Sequence, residues 1–170
     1  MTFLDLAEQR YSVRKFSDKP VEKEKIDGIL QAGRLAPTAC NNQPQRILVL
    51  ESAEALAKLK NCTPCHFDAP AALIVCYDRN VSWKRPYDAK DHGDIDASIV
   101  CAHMMLEAAE LGLGTTWVCY YDPAAVIREF SLPENLVPSS ILPLGYPAAD
   151  AAPAPLHGER KPLGETVTHL

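Results

Sequence analysis

The run from Asp94 to Leu111 has helix length and is apolar on nearly every side, through Ile95, Ala97, Ile99, Val100, Ala102, Met104, Met105, Leu106, Ala108 and Ala109. A helix without a polar face cannot lie on a surface, so it must be covered from several directions. That requirement places it in the core of a layered fold and also against a partner subunit. Met104 and Met105 then read as core filler rather than cofactor contacts, because methionine adapts to irregular gaps.

The remaining periodicities supply the layers. Phe3, Leu4, Leu6 and Ala7 suggest a short amphipathic helix. Val21 to Leu35 reads as a second helix, with Ile26, Ile29, Leu30 and Ala32 on one side and Pro37 as its stop. Ala53 to Lys60 is a third helical run, and Pro123 to Phe130 a short helix with proline in its first turn. Arg46 to Leu50, Ala71 to Tyr77, Thr115 to Tyr121 and Ser139 to Tyr146 have strand length and composition. Pro138, Pro143 and Pro147 are expected to keep the last of these from forming an uninterrupted central ladder. Arg79 to Gly93, polar and aromatic without periodicity, reads as a loop or lid. The interleaving predicts an α+β domain: a mixed central sheet flanked by helices on both sides. At 170 residues the chain supports one domain over 1–170. Residues 148–170, rich in Ala and Pro and without a periodic face, cannot fold alone.

A formal charge of −5 and a pI near 5.5 argue against nucleic acid or an anionic membrane as a partner. Met1 to Arg10 lacks the features of a signal peptide, and no run of eighteen apolar residues occurs, so a soluble, cytoplasmic protein is expected. Its six cysteines are then expected to be free thiols.

Against that acidic background Arg10-Tyr11-Ser12-Val13-Arg14 stands out. Two guanidinium forks and a hydroxyl in a short stretch suit a phosphorylated ligand, through bidentate charge-assisted hydrogen bonds, although a solvated basic turn has the same sequence. Cys62-Thr63-Pro64-Cys65-His66 competes for notice. Haem attachment would need export, a thioredoxin-like motif would follow a strand, and a zinc site would need two further ligands. The pattern is read as coincidence, with a labile thiol pair or adventitious metal site as the alternative. No metal site is expected, since the five histidines have no ligand spacing.

Four further segments follow in order. They are Ala36-Pro37-Thr38-Ala39-Cys40-Asn41, Gly112-Leu113-Gly114-Thr115-Thr116-Trp117-Val118, Leu142-Pro143-Leu144-Gly145-Tyr146-Pro147 and Arg160-Lys161. With the arginine motif they resemble the FMN-dependent nitroreductase-like oxidoreductases over nearly the whole chain. The resemblance implies a three-layer α/β/α fold, an intertwined homodimer with shared active sites, and a C-terminal arm over about 148–170 lying across the neighbouring subunit.

It also implies a site. Arg10 and Arg160 would hold the FMN phosphate, with Lys161 as a further charge and Tyr11 and Ser12 beside them. Arg14 would lie at the pyrimidine edge as electrostatic support, with no side chain acting as a catalyst in its own right. Pro37, Thr38, Ala39 and Asn41 would close over the cofactor from the partner chain. Trp117, Val118 and Cys119 would pass behind the ring, and Gly145 would lie by the cavity. Cys119 departs from the family's small residue there; by itself it reads as a buried strand cysteine. The implied activity is ping-pong hydride transfer from NADH or NADPH, through flavin N5, to a small electron-poor acceptor such as a nitroaromatic or quinone. A flavin-binding protein without turnover, or a thiol or metal protein built on Cys62, Cys65 and His66, are the other classes.

Overall fold

The computed structural model describes residues 2–170. In chain order the elements are α1 (Phe3–Gln9), α2 (Lys23–Leu35), β1 (Gln45–Leu50), α3 (Ala53–Lys60), β2 (Ala71–Asp78), α4 (Gly93–Glu110), β3 (Gly114–Thr115), α5 (Pro123–Glu129), β4 (Leu136–Gly145) and α6 (Leu163–Thr166). Short 3-10 turns occupy Ala39–Asn41 and Pro155–Gly158. The strands lie in the order β1-β2-β4-β3.

β2 shows why the fold has three layers. Its residues are apolar without alternation because both faces are covered. Leu73 and Val75 point to one side, where Ile29 of α2 and Val100 and Met104 of α4 complete a fully buried cluster. Ala72, Ile74 and Cys76 point to the other, against Leu59 of α3 and Val126 of α5. Burying a side chain such as Val100 or Met104 contributes roughly 1.5–3 kcal/mol, so this double-sided core dominates the stability. α3 and α5 are each opened by a side chain that accepts a first-turn N–H, Ser52 from Ala55 and Asp122 from Ala124.

The α+β, three-layer expectation is met, with one refinement: every ladder between named strands is antiparallel. The parallel component is a single bridge, Ser12 with Thr115. β4 pairs with β2 from Leu136 to Leu144, and its ladder is interrupted, as expected, by one register shift next to Pro138, opposite Val75/Cys76. A second interruption falls on its other edge. There Gly114 pairs with Gly145 and Val118 with Ile141, a register that sets Thr116 opposite Pro143, which has no N–H to give. The strand expected over Thr115 to Tyr121 therefore survives as β3 and one bridge.

Among the described residues no helix is long and apolar enough to cross a membrane. α4 is covered on the sheet side and by α2, while Asp94, Ile95, Ser98, Ile99 and Ala102 form an open, mostly apolar strip, with Ile95 42% exposed. Arg79 to Gly93 is irregular, as expected, and is pinned by Lys84–Asp91 and Arg85–Asp88 ion pairs and by Trp83 set edge-on to His92.

Candidate functional site

The arginine motif is a sheet edge rather than a turn. Val13 N–H donates to Thr115 O at 2.9 Å, Thr116 Oγ1 donates back to Val13 O, and Ser12 bridges Thr115. Extended backbone sends successive side chains to opposite sides. Val13 accordingly goes inward, 2% exposed, while Arg14 is exposed and Ser12 half-buried. The close approach needs Gly114, because a Cβ there would lie 2.5 Å from Val13 Cγ2.

Arg10 follows α1 and is half-buried at the rim of a cleft of about 210 Å³ that also involves Leu6, Tyr11, Ala109 and Thr115. Burial, and then the nearby charge of Arg160, lower the Arg10 guanidinium from its ordinary value. One guanidinium is half-buried and the other exposed, and an anion between them would offset both the burial and the repulsion. Arg160 is delivered by the C-terminal segment of the same chain. His157 Nε2 lies 3.2 Å from Glu8 O, its ring packs edge-on to Tyr11 at 6.1 Å between centroids, and Arg160 Nη1 donates to His157 O at 2.6 Å. Lys161, next to Arg160, is exposed, with its Nζ 3.9 Å from Glu165 on α6.

Trp117 is half-buried against the α2/α4 side of the core. Val118 exchanges both backbone hydrogen bonds with Ile141, at 2.8 and 3.0 Å. Alternation along extended backbone then turns the N–H groups of Trp117 and Cys119 away from β4. Cys119 is exposed, which corrects its reading as a buried strand cysteine: the chain has left the sheet by that point. Gly145 has a packing reason for being glycine, as a Cβ would lie 2.7 Å from Pro70 Cδ.

The Pro37–Asn41 segment is not brought to the arginines. Ala39 N–H donates to Asp96 Oδ1 at 2.9 Å, near the start of α4, whereas the Arg10 cleft meets α4 at Ala109. At 1.5 Å per residue the two points are about 20 Å apart along the helix axis. One chain thus holds the Arg10 cleft and the Pro37–Asn41 loop at opposite ends of α4. Sequence reasoning passed over Thr116, His157 and Asp96, which secure these two regions. Only Asp96 left a signal, as an acid inside an otherwise apolar helix.

The competing cysteine motif is part of the core. Cys62 is buried among Leu59, Ile74 and Val126, its Sγ donates to Lys58 O at 3.4 Å, and burial pushes its thiol up. His66 Nδ1 accepts the Asp68 N–H at 3.0 Å. Among the described residues no group of three or more His, Cys, Asp or Glu converges as a metal site would require.

An antiparallel sheet between two helical layers, with Arg160 brought towards Arg10 by the C-terminal segment, defines an α/β/α domain. Its relatives specify it further: the family model for nitroreductases matches residues 7–68 and 64–146, so the chain belongs to the nitroreductase family. A nitroreductase family protein of known structure from Clostridium difficile 630 is 46% identical, with a TM-score of 0.94 over 99% of this chain and 98% of that one. A Methanothermobacter thermautotrophicus protein named NADH dehydrogenase/NAD(P)H nitroreductase is 36% identical over 155 residues, 87% of this chain and 78% of its own. An FMN-dependent nitroreductase structure from Clostridium difficile R20291 is 28% identical, with a TM-score of 0.77 over 87% of this chain and 89% of that one.

Proposed function

We propose that this protein is an FMN-dependent NAD(P)H oxidoreductase that reduces small electron-poor acceptors, nitroaromatics or quinones among them, in a ping-pong cycle. The observation that carries this reading is that the C-terminal segment, docked through His157 on Glu8 and Tyr11, brings Arg160 near Arg10 beside the Ser12–Thr115 edge. A terminal phosphate dianion suits two nearby guanidinium groups better than the diester linkage of FAD, which lacks the terminal charge. Relatives named for FMN and for NAD(P)H support the same choice.

FMN, when bound, supplies the hydride-accepting ring; the chain supplies its binding and surroundings. Arg10 and Arg160 take the phosphate, and Ser12 offers a neutral hydroxyl beside them. Arg14, exposed on the same edge, would supply a fixed positive charge to stabilise the reduced ring. The outward N–H groups of Trp117 and Cys119 are donors held in place by the Val118–Ile141 bridge.

The same reading makes the active unit a homodimer with two composite sites. A cleft of about 210 Å³ falls short of the roughly 300–1,000 Å³ of small-molecule sites, so one chain offers too little wall. The open apolar strip on α4 and the exposed Leu156 and Leu163 of the C-terminal segment are surfaces a second copy would cover. That copy would bring its Pro37–Asn41 loop to the arginines, and the arm would extend across it. A cytoplasmic location accords with six unpaired cysteines, two of them exposed.

The test is the absorption spectrum of the purified protein, followed by anaerobic titration with NADH and NADPH. Flavin absorbance bleached by at least one nicotinamide is expected. A colourless protein that takes up no FMN would overturn the reading, and bound flavin that neither nicotinamide reduces would leave a flavin-binding protein instead of an enzyme.

A further inference from the structure

The loop containing Pro37 to Asn41 is held in a costly shape. Cys40, Asn41 and Gln43 have φ of 53°, 53° and 51°. This is the left-handed region, unfavourable for residues with a Cβ, and such conformations persist only where surrounding bonds over-determine them. Several of those bonds are internal. Thr38 Oγ1 accepts Gln43 N–H at 3.0 Å, Asn41 N–H donates to Thr38 O at 2.9 Å, and Asn42 N–H to Ala39 O at 3.1 Å. The anchors to the rest of the chain are Asn42 Nδ2 on Val81 O at 3.1 Å and Ala39 N–H on Asp96 Oδ1 at 2.9 Å.

Asp96 is an unusual anchor. It is 2% exposed, and its Oδ2 has no hydrogen-bond partner among the described residues. Burying a carboxylate is expensive, and the partial positive charge at the start of α4 offsets only part of the cost. What the carboxylate gains is a charge-assisted bond, stronger than a neutral acceptor would make, to the loop residue just before the left-handed pair.

We propose that Asp96 is a positioning residue, holding the strained Pro37–Asn41 loop through the Ala39 N–H in the shape that completes the flavin site. The proposal rests on that loop being the second wall of the composite site. Asp96 itself touches no cofactor in this arrangement.

Hydrogen exchange and FMN titration of the full-length protein, with Asp96→Ala and Asp96→Asn, test it. Asp96→Ala is expected to speed exchange at the amides of 39–43 and to weaken FMN, each about tenfold or more, while β2 amides keep their protection. Asp96→Asn, which keeps an acceptor, should restore both to within about threefold of wild type. Unchanged loop exchange in Asp96→Ala, equal acceleration in β2, or an Asp96→Asn protein as impaired as Asp96→Ala would overturn the proposal. Should Asp96→Ala fail to fold, Asp96→Leu, which keeps the volume but has no acceptor, takes its place: selective acceleration at 39–43 supports the role, and unchanged loop exchange refutes it. A loosened loop with unchanged FMN affinity would instead count against the composite site while leaving Asp96 as the loop's anchor.

Discussion

Arg10 and Arg160 come from opposite ends of the chain and lie close enough that the charge of Arg160, added to burial, lowers the Arg10 guanidinium from its ordinary value. Their meeting depends on the docking of His157 against Glu8 and Tyr11. If the pair reads a phosphate, each contributes a charge-assisted bond of about 1.5–3 kcal/mol, so Arg10→Ala or Arg160→Ala should weaken FMN roughly 10- to 150-fold. Fluorescence titration of the folded variants measures this. Unchanged affinity would remove that arginine from the site.

The separation of the Arg10 cleft and the Pro37–Asn41 loop along α4 predicts complementation. A chain defective at Arg10 co-expressed with a chain defective at Thr38 and Asn41 should give heterodimers with one intact site, because one composite site gathers both lesions and the other neither. Flavin content per heterodimer, after tandem-tag purification, should approach one. A flavin-loaded monomer by sedimentation would rule the arrangement out.

Gly114 allows the arginine edge to approach β3. In Gly114→Ala the new Cβ would lie 2.5 Å from Val13 Cγ2, so Val13 or β3 must shift. Such overpacking should cost about 1–3 kcal/mol. Denaturant unfolding reads the loss, and FMN affinity should fall with it, since Val13 sets the position of Ser12 and Arg14. A variant as stable as wild type would show that the edge is more pliable than its hydrogen bonds imply.

At the start of α2, Glu22 accepts a hydrogen bond from Tyr146 at 2.7 Å and pairs with Lys19 at 3.0 Å. The Tyr146 bond first, then a backbone bond and Lys19, hold its carboxyl down at about 2 from 4.5. A carboxyl depressed in the folded state stabilises it above the unfolded value and loses that contribution as pH falls from 4.5 towards 2. Thermal melts across this window should therefore show a shallower acid slope for Glu22→Gln than for wild type. Parallel slopes would mean that the contact is not maintained in solution.

Much of this was legible in the residues. Hydrophobic period located α2, while the length of an apolar run and the turn residues that bound it located α4 and β2, which are covered on more than one side. β3 was over-read because Thr115 to Tyr121 has strand composition, yet its pairing depends on a proline that is remote in sequence, Pro143. Cys119 was misplaced by the same error.

The sequence by itself determined the layers, the apolar central helix and the types of side chain available to an anion, since periodicity and composition are local properties. Tertiary structure decided which of them meet. Val13 could be locked to Thr115 and Thr116 only by parallel pairing across the chain, and Arg160 could reach Arg10 only through a tail with no periodic signal of its own. The Pro37–Asn41 loop lies at the far end of α4, tied to Asp96 on that helix and to Val81 after β2. Such long-range meetings depend on how the layers stack, which no stretch of sequence encodes alone.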